Sequence, residues 1–218
     1  MKARGQSGRD RKRKAVVQPS RGDPTGRRQE ILDASLDLFA RQGFQGTSVR
    51  EIARAVGVNE ATLYHYFESK AEILDAIIDL LLEERSEALA AADDRGVSLE
   101  DVLRELTMKL LARFRAEREQ KLMRLLMIEG PRLAVTGRYP VLRLMRESGE
   151  RVTRVFETLM KDGRARKRDP QLTGLQFTAP IFTYGFHQHA LGGKAMEPMS
   201  EAAFAKAHAE LFARALAP

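Results

Sequence analysis

The 218-residue sequence has no cysteine and no tryptophan. Without cysteine there are no disulfides, no thiolate zinc sites and no cysteine nucleophile, which agrees with a reducing compartment. No apolar run reaches the roughly 18 residues that a membrane-spanning helix needs. The basic N-terminus is not followed by the apolar stretch of a secretory signal. A soluble, cytoplasmic protein without membrane contact is the expectation. Sustained apolar–polar alternation, the mark of strands, is also missing. So are the phosphate-binding and dinucleotide-binding glycine loops. "GQSGR" near the N-terminus lacks the strand–turn–helix setting of a nucleophile elbow. His187 and His189, two apart on a helix, would point about 200 degrees from one another and cannot share an ion. These absences argue against an enzyme, and no cofactor or metal is expected.

Positive charge is present, and it is concentrated. The net charge is +7, of which residues 1–23 carry +6. The segment is rich in Gly, Ser and Pro and poor in apolar residues, so it reads as a disordered basic tail. Such an arm binds nucleic acid or an anionic surface, or it only keeps the protein soluble. Residues 24–70 are charge-balanced.

From residue 25 onward the apolar residues fall at helical spacing, punctuated by caps. Ile31, Leu32, Leu38 and Phe39 form one stripe that Gly43 ends. Ser48 and Glu51 stand at capping-box spacing before Ile52, Ala53 and Val56, and Gly57 stops that helix. Asn59 caps the next, through Phe67. Ser69 and Glu72 repeat the box and open a long helix. Residues 93–97 break the pattern, and Ser98 starts a helix to about Ala116. Another ends near Gly130-Pro131. Pro140 opens one that runs to about Asp162. Asp169-Pro170 opens an apolar, aromatic helix to Gly192-Gly193, and a last helix starts near Ser200. The expected fold is all-α with about nine helices: a tail over 1–23, a three-helix unit over 24–70, and a helical domain over 71–218.

Two short helices joined at Gly57 have helix-turn-helix spacing, the second being the recognition helix. On that helix, at 100 degrees per residue, Leu63 and Phe67 share the buried face. Ala61, Thr62 and His65 fall opposite, and Tyr64 and Tyr66 flank the seam. The crowded rings of "TLYHYF" therefore fan around the outside of a pinned helix. Tyrosine and histidine suit phosphate oxygens. Thr62 and Ala61 are small enough for base edges and thymine methyls. Lys70, Thr47 and Ser48 lie at helix starts, where backbone N–H groups favour phosphate.

The stretch "GFQGTSVREIARAVGVNEATLYHYFESKAEIL", residues 43–74, resembles the DNA-binding domain of the TetR family of bacterial regulators. With the preceding helix the likeness covers roughly 25–75. The resemblance implies phosphate contacts from Thr47 or Ser48, Tyr64, Tyr66 and Lys70, and base contacts near Val49, Ala61, Thr62 and His65. Val49 and Arg50 offer no assured base-reading arginine at the first of these positions. It further implies a homodimer formed through about 170–191 and 200–216, a palindromic operator in double-stranded DNA, and a repressor released by an apolar small-molecule effector. Met123, Met127, Phe156, Phe177 and Phe182 are the candidate lining of the effector pocket, since methionine-rich linings adapt to varied apolar ligands. Pro180, in mid-helix, removes a hydrogen bond to Gln176 and is expected to kink the chain. The rival reading is a non-specific or architectural DNA-binding protein with no effector.

Overall fold

The computed structural model describes residues 24–89 and 96–218, with backbone only for 24 and 85–89. The basic tail and most of the expected break at 93–97 lie outside the described residues. Ten α-helices and one π-helical turn account for the regular structure among those residues, with no strand. The helices are α1 (Pro24–Gln42), α2 (Val49–Ala55), α3 (Glu60–Tyr66), α4 (Lys70–Leu89), α5 (Leu99–Phe114) and α6 (Glu117–Val135). They continue with α7 (Pro140–Lys161), α8 (Pro170–Gly185), α9 (Gly193–Met196) and α10 (Glu201–Leu216), the π turn (Phe186–Ala190) falling between α8 and α9. No described helix is long and apolar enough to cross a membrane.

The caps form where the side chains call for them. Asn59 accepts the Thr62 amide at 2.7 Å. Asp169 accepts the Leu172 amide at 2.8 Å, and Ser98 and Ser200 do the same for α5 and α10. Each satisfies one of the free donors at a helix start.

Two boundaries differ from expectation. α6 does not stop at Gly130-Pro131 but runs on to Val135. Leu133, beyond the proline, is buried and holds that last turn in the core. The true stop is Gly137, at φ +77°. The Arg138 amide bonds Leu133 O and the Gly137 amide bonds Ala134 O, which is the paired closure of a Schellman motif. Pro131 thus costs the helix one hydrogen bond without ending it.

The second difference lies after α8. The expected helix to residue 191 ends at Gly185, and the π turn follows. Phe114 packs on the Gly185 backbone so closely that a Cβ there would lie 2.3 Å from its ring. Gln188, buried in the turn, donates to Glu197 O at 2.9 Å and accepts the Met199 amide at 3.1 Å. These bonds staple the turn to the chain entering α10, and they make room for α9, which the sequence reading omits. His187 and His189 take separate partners, Glu197 at 3.9 Å and Glu201 at 3.1 Å.

The buried residues form two clusters. The first runs from Ile31, Phe39, Ile52, Leu63 and Phe67 through α4 into Leu122, Leu126 and Leu133 of α6. It joins the first three helices to the rest without a gap at residue 70. The second is built from α5, α7, α8 and α10 around Phe156 and Phe177. Charged pairs brace the first junction from outside. Arg118 reaches Asp33 at 2.5 Å and Lys121 reaches Asp37 at 2.7 Å, linking α6 to α1. Arg138 and Arg143 bridge to Asp75 and Asp79 of α4.

Candidate nucleic-acid interface and adjoining cavity

α2 and α3 are short, and each is fixed at both ends. Ser48 Oγ accepts the Glu51 amide at 3.2 Å, and Glu51 Oε2 accepts the Ser48 amide at 2.8 Å, completing the capping box. The Ser48 amide foremost, and then the Ser48 hydroxyl, which donates to Oε2 at 2.7 Å, hold the Glu51 carboxyl below its ordinary range. Gly57, at φ +70°, closes α2 with Val58 N–H on Ala53 O at 2.9 Å. Arg27 of α1 donates to Val56 O at 3.2 Å and so secures the turn from behind.

α3 sits on Leu63 and Phe67, which are 0% and 1% exposed. Ala61, Tyr64 and His65 are exposed on its outer side, and Thr62 is partly so. Tyr66 is half-buried and packs on the core cluster. Ser48 is exposed, and Val49 is half-buried against the same cluster. The outward fan of rings expected from the helical wheel is present, with Tyr66 nearest the protein.

Two of the residues expected at phosphate are turned to other work. Thr47 is 1% exposed, and its hydroxyl donates to Gly43 O at 2.8 Å. Its side chain therefore closes the loop after α1 and does not face outward, which leaves Ser48 as the exposed hydroxyl there. Lys70 Nζ donates to Phe44 O at 2.6 Å and Thr47 O at 2.7 Å, and lies 4.6 Å from the Phe44 ring centroid. Partial burial lowers its pKa, opposed by the fields of Glu129 and Glu51. Two of the three ammonium donors are thus spent on the loop, and one is left for a phosphate.

Behind the helix-turn-helix, α5, α6, α7 and α8 form a half-open cavity of about 1410 Å³. That exceeds the 300–1,000 Å³ usual for small-molecule pockets. Met123, Met127 and Phe182 line it as expected. Phe156 and Phe177 do not. They are 0% exposed and meet each other edge to face at 5.3 Å, with Phe212 5.1 Å from Phe177. They belong to the second core, where Phe177 meets His208 and Phe212 of α10. In their place α7 contributes Leu142, Leu144 and Met145. The exposure of Leu142, Met145, Leu175 and Phe182 marks an open side. Polar groups also line the wall, among them Asp75, Glu119, Arg138 and Arg143. Leu142 and Leu144 have no sequence signal of their own, because a stripe facing a void and a stripe facing a core share one period.

Comparison with known proteins agrees with this geometry. Residues 31–77 match the family profile described as bacterial regulatory proteins, tetR family. Residues 101–218 match that of the AefR-like transcriptional repressor, C-terminal domain. The chain is 40% identical over 80 residues to the HTH-type transcriptional repressor KstR2 of Rhodococcus jostii, covering 35% of this chain and 39% of that protein. It is 43% identical over 53 residues to the HTH-type transcriptional regulator AcrR of Shigella flexneri, covering 24% and 25%. These alignments span well under half of either relative's length. Among solved structures, GusR of Salmonella enterica superposes with a TM-score of 0.67 at 24% identity, over 88% of this chain and 97% of that one. A TetR family transcriptional regulator from Pseudomonas syringae gives 0.66 at 21% identity, over 87% and 96%. Both are likenesses of fold.

Proposed function

Given that the chain belongs to the TetR family, and so is a DNA-binding transcriptional regulator, we propose that it is a sequence-specific repressor released when a small molecule fills the α5–α8 cavity. The observation that carries this is the cavity itself, which shares α6 with the core beneath the helix-turn-helix. A ligand can lower DNA affinity only by binding the non-operator conformation more tightly. A wall common to ligand and DNA-binding unit supplies the means. The methionines and phenylalanines favour an apolar body, and the arginines at the wall suit a polar end.

The working form is a homodimer. Leu172, Leu175 and Ala179 make an exposed apolar face on α8, and Ala203, Ala207 and Leu211 make one on α10. Two such helices from each chain would bury one another as a four-helix interface. The dimer would read a palindrome whose half-sites lie one helical turn, about 34–36 Å, or a multiple apart. Ser48, Tyr64, Tyr66 and Lys70 are assigned to phosphates, and Val49, Ala61, Thr62 and His65 to the bases.

Selection from a random duplex pool tests the reading, followed by a thermal-shift screen of apolar and amphiphilic compounds. A palindromic consensus, with a screen hit that both raises Tm and releases the selected DNA, is expected. Enrichment of no sequence would favour the non-specific alternative, and sedimentation as a monomer at micromolar concentration would remove the palindrome.

A further inference from the structure

Glu129 stands where the cavity meets the DNA-binding unit. It lies on α6 one turn beyond Leu126, a cavity residue, and packs into the junction with the loop after α1. The residue is 3% exposed, yet Oε2 has no hydrogen-bond partner. Its neighbour Oε1 is 3.5 Å from Nη1 of the exposed Arg132. Burying a carboxylate so poorly paired is costly. A leucine, like Leu122 or Leu133 on the same helix, would pack there without that cost.

What the carboxylate faces is specific. A Cβ on Gly43 would lie 2.8 Å from Oε1, so the carboxylate approaches this closely because position 43 has no side chain and would have to withdraw from one. Gly43 also sits at φ +81°, which a non-glycine residue rarely adopts. Lys70, on the other side of the loop, lies within the field of Glu129. The loop between them is stiff. Phe44 is buried against Phe39, Thr47 bonds back to Gly43, and Lys70 pins Phe44 O and Thr47 O. A push at Gly43 therefore carries the whole segment 43–48, including the cap that launches α2.

We propose that Glu129 is the relay between cavity and helix-turn-helix: a ligand that displaces α6 drives this carboxylate against Gly43 and changes its distance to Lys70, shifting the loop that sets α2 and α3. The relay rests on the reading that the cavity holds the effector.

The absence of cysteine allows a test that needs no knowledge of that effector. Met127→Cys places a single thiol in the cavity wall, and N-benzylmaleimide then fills the space covalently. Labelling should weaken binding to the selected DNA at least about 10-fold, within the usual range of allosteric coupling, and should speed amide exchange over 43–51. In Met127→Cys/Glu129→Ala, which removes both the reach to Gly43 and the charge facing Lys70, unlabelled affinity should stay within about 3-fold of the single variant, and labelling should change it less than about 2-fold. Equal losses in both backgrounds would overturn the relay and leave the cavity reading standing. No loss with Glu129 present would overturn both. Should Glu129→Ala fail to fold, Glu129→Asp serves in its place, since the shorter side chain keeps the charge and withdraws from Gly43.

Discussion

Removing the Lys70 ammonium separates two roles that its position combines. Its two bonds to Phe44 O and Thr47 O are short and charge-assisted. Losing one such bond costs about 1.5–3 kcal/mol when the partner is left unpaired. Lys70 is only partly buried, so water can replace some of what is lost, and about half the sum is the better figure. Lys70→Ala should therefore cost about 1.5–3 kcal/mol. For a chain of this size 1 kcal/mol moves Tm by about 2–4 °C, so a fall of about 3–12 °C is expected. If the remaining donor reaches a phosphate, the slope of log affinity against log salt should also shrink by about 0.9. Lys70→Met keeps the stem over the Phe44 ring and removes only the donors, so it should show the same slope change with a smaller fall in Tm. Differential scanning calorimetry and fluorescence anisotropy at four salt concentrations measure both quantities. A Tm within 1 °C of wild type would refute the pinning role, and an unchanged slope would refute the phosphate contact.

Thr62→Ala and His65→Ala should change which sequences a random pool yields, each wrong base pair costing about 1–3 kcal/mol in the unsubstituted protein; an identical consensus would remove both from the base-reading set. Phe177→Ala should cost about 3–5 kcal/mol by chemical denaturation, as expected of a fully buried aromatic, whereas Met127→Trp should leave stability nearly unchanged and abolish ligand release, and reversed outcomes would exchange their places. His208 donates Nε2–H to Phe177 O at 3.0 Å and is held below its ordinary pKa by burial, against the bond to that carbonyl. The unfolded chain therefore binds the proton more readily, so the contribution of His208 to stability is complete above about pH 6.5 and is lost as pH falls through the lower folded value. Tm should drop on acidification less steeply in His208→Gln than in the wild type, and equal slopes would contradict the assignment.

The short-range grammar of this chain was legible because its signals act within one turn. The capping box at Ser48, the Asn59 cap and the outward placement of Tyr64 and His65 depend on residues three or four apart, and all of them formed. Thr47 is turned inward by the loop closing on Gly43, which no local pattern encodes. Pro131 looked like a stop since its local cost is real, but burial of Leu133 outweighed it and Gly137 supplied the actual closure. Phe177 and Phe182 show the limit most clearly. They lie five residues apart on α8, so periodicity places them on different faces. Which face meets α10 and which meets a void depends on helices distant in sequence. The same blindness hid Leu142 and Leu144 of the cavity wall and the burial of Glu129, which reads as one more surface glutamate.

The braces between α1, α4, α6 and α7 give salt two points of action in this molecule. Each pair is partly exposed and worth about 0–1 kcal/mol. Together the four approach the 1–3 kcal/mol that a typical allosteric coupling requires. Counterions that loosen phosphate contacts screen these pairs too, over a Debye length of about 8 Å at physiological ionic strength. The internal osmotic state of a cell would then set the gain of the sensor as well as its grip on DNA. On the proposed relay, slack braces would let a filled cavity move α6 while less of that movement reached α2 and α3. The Asp75–Arg138 pair lies on the cavity wall itself, so an effector with a charged end would compete for the same brace that small ions weaken.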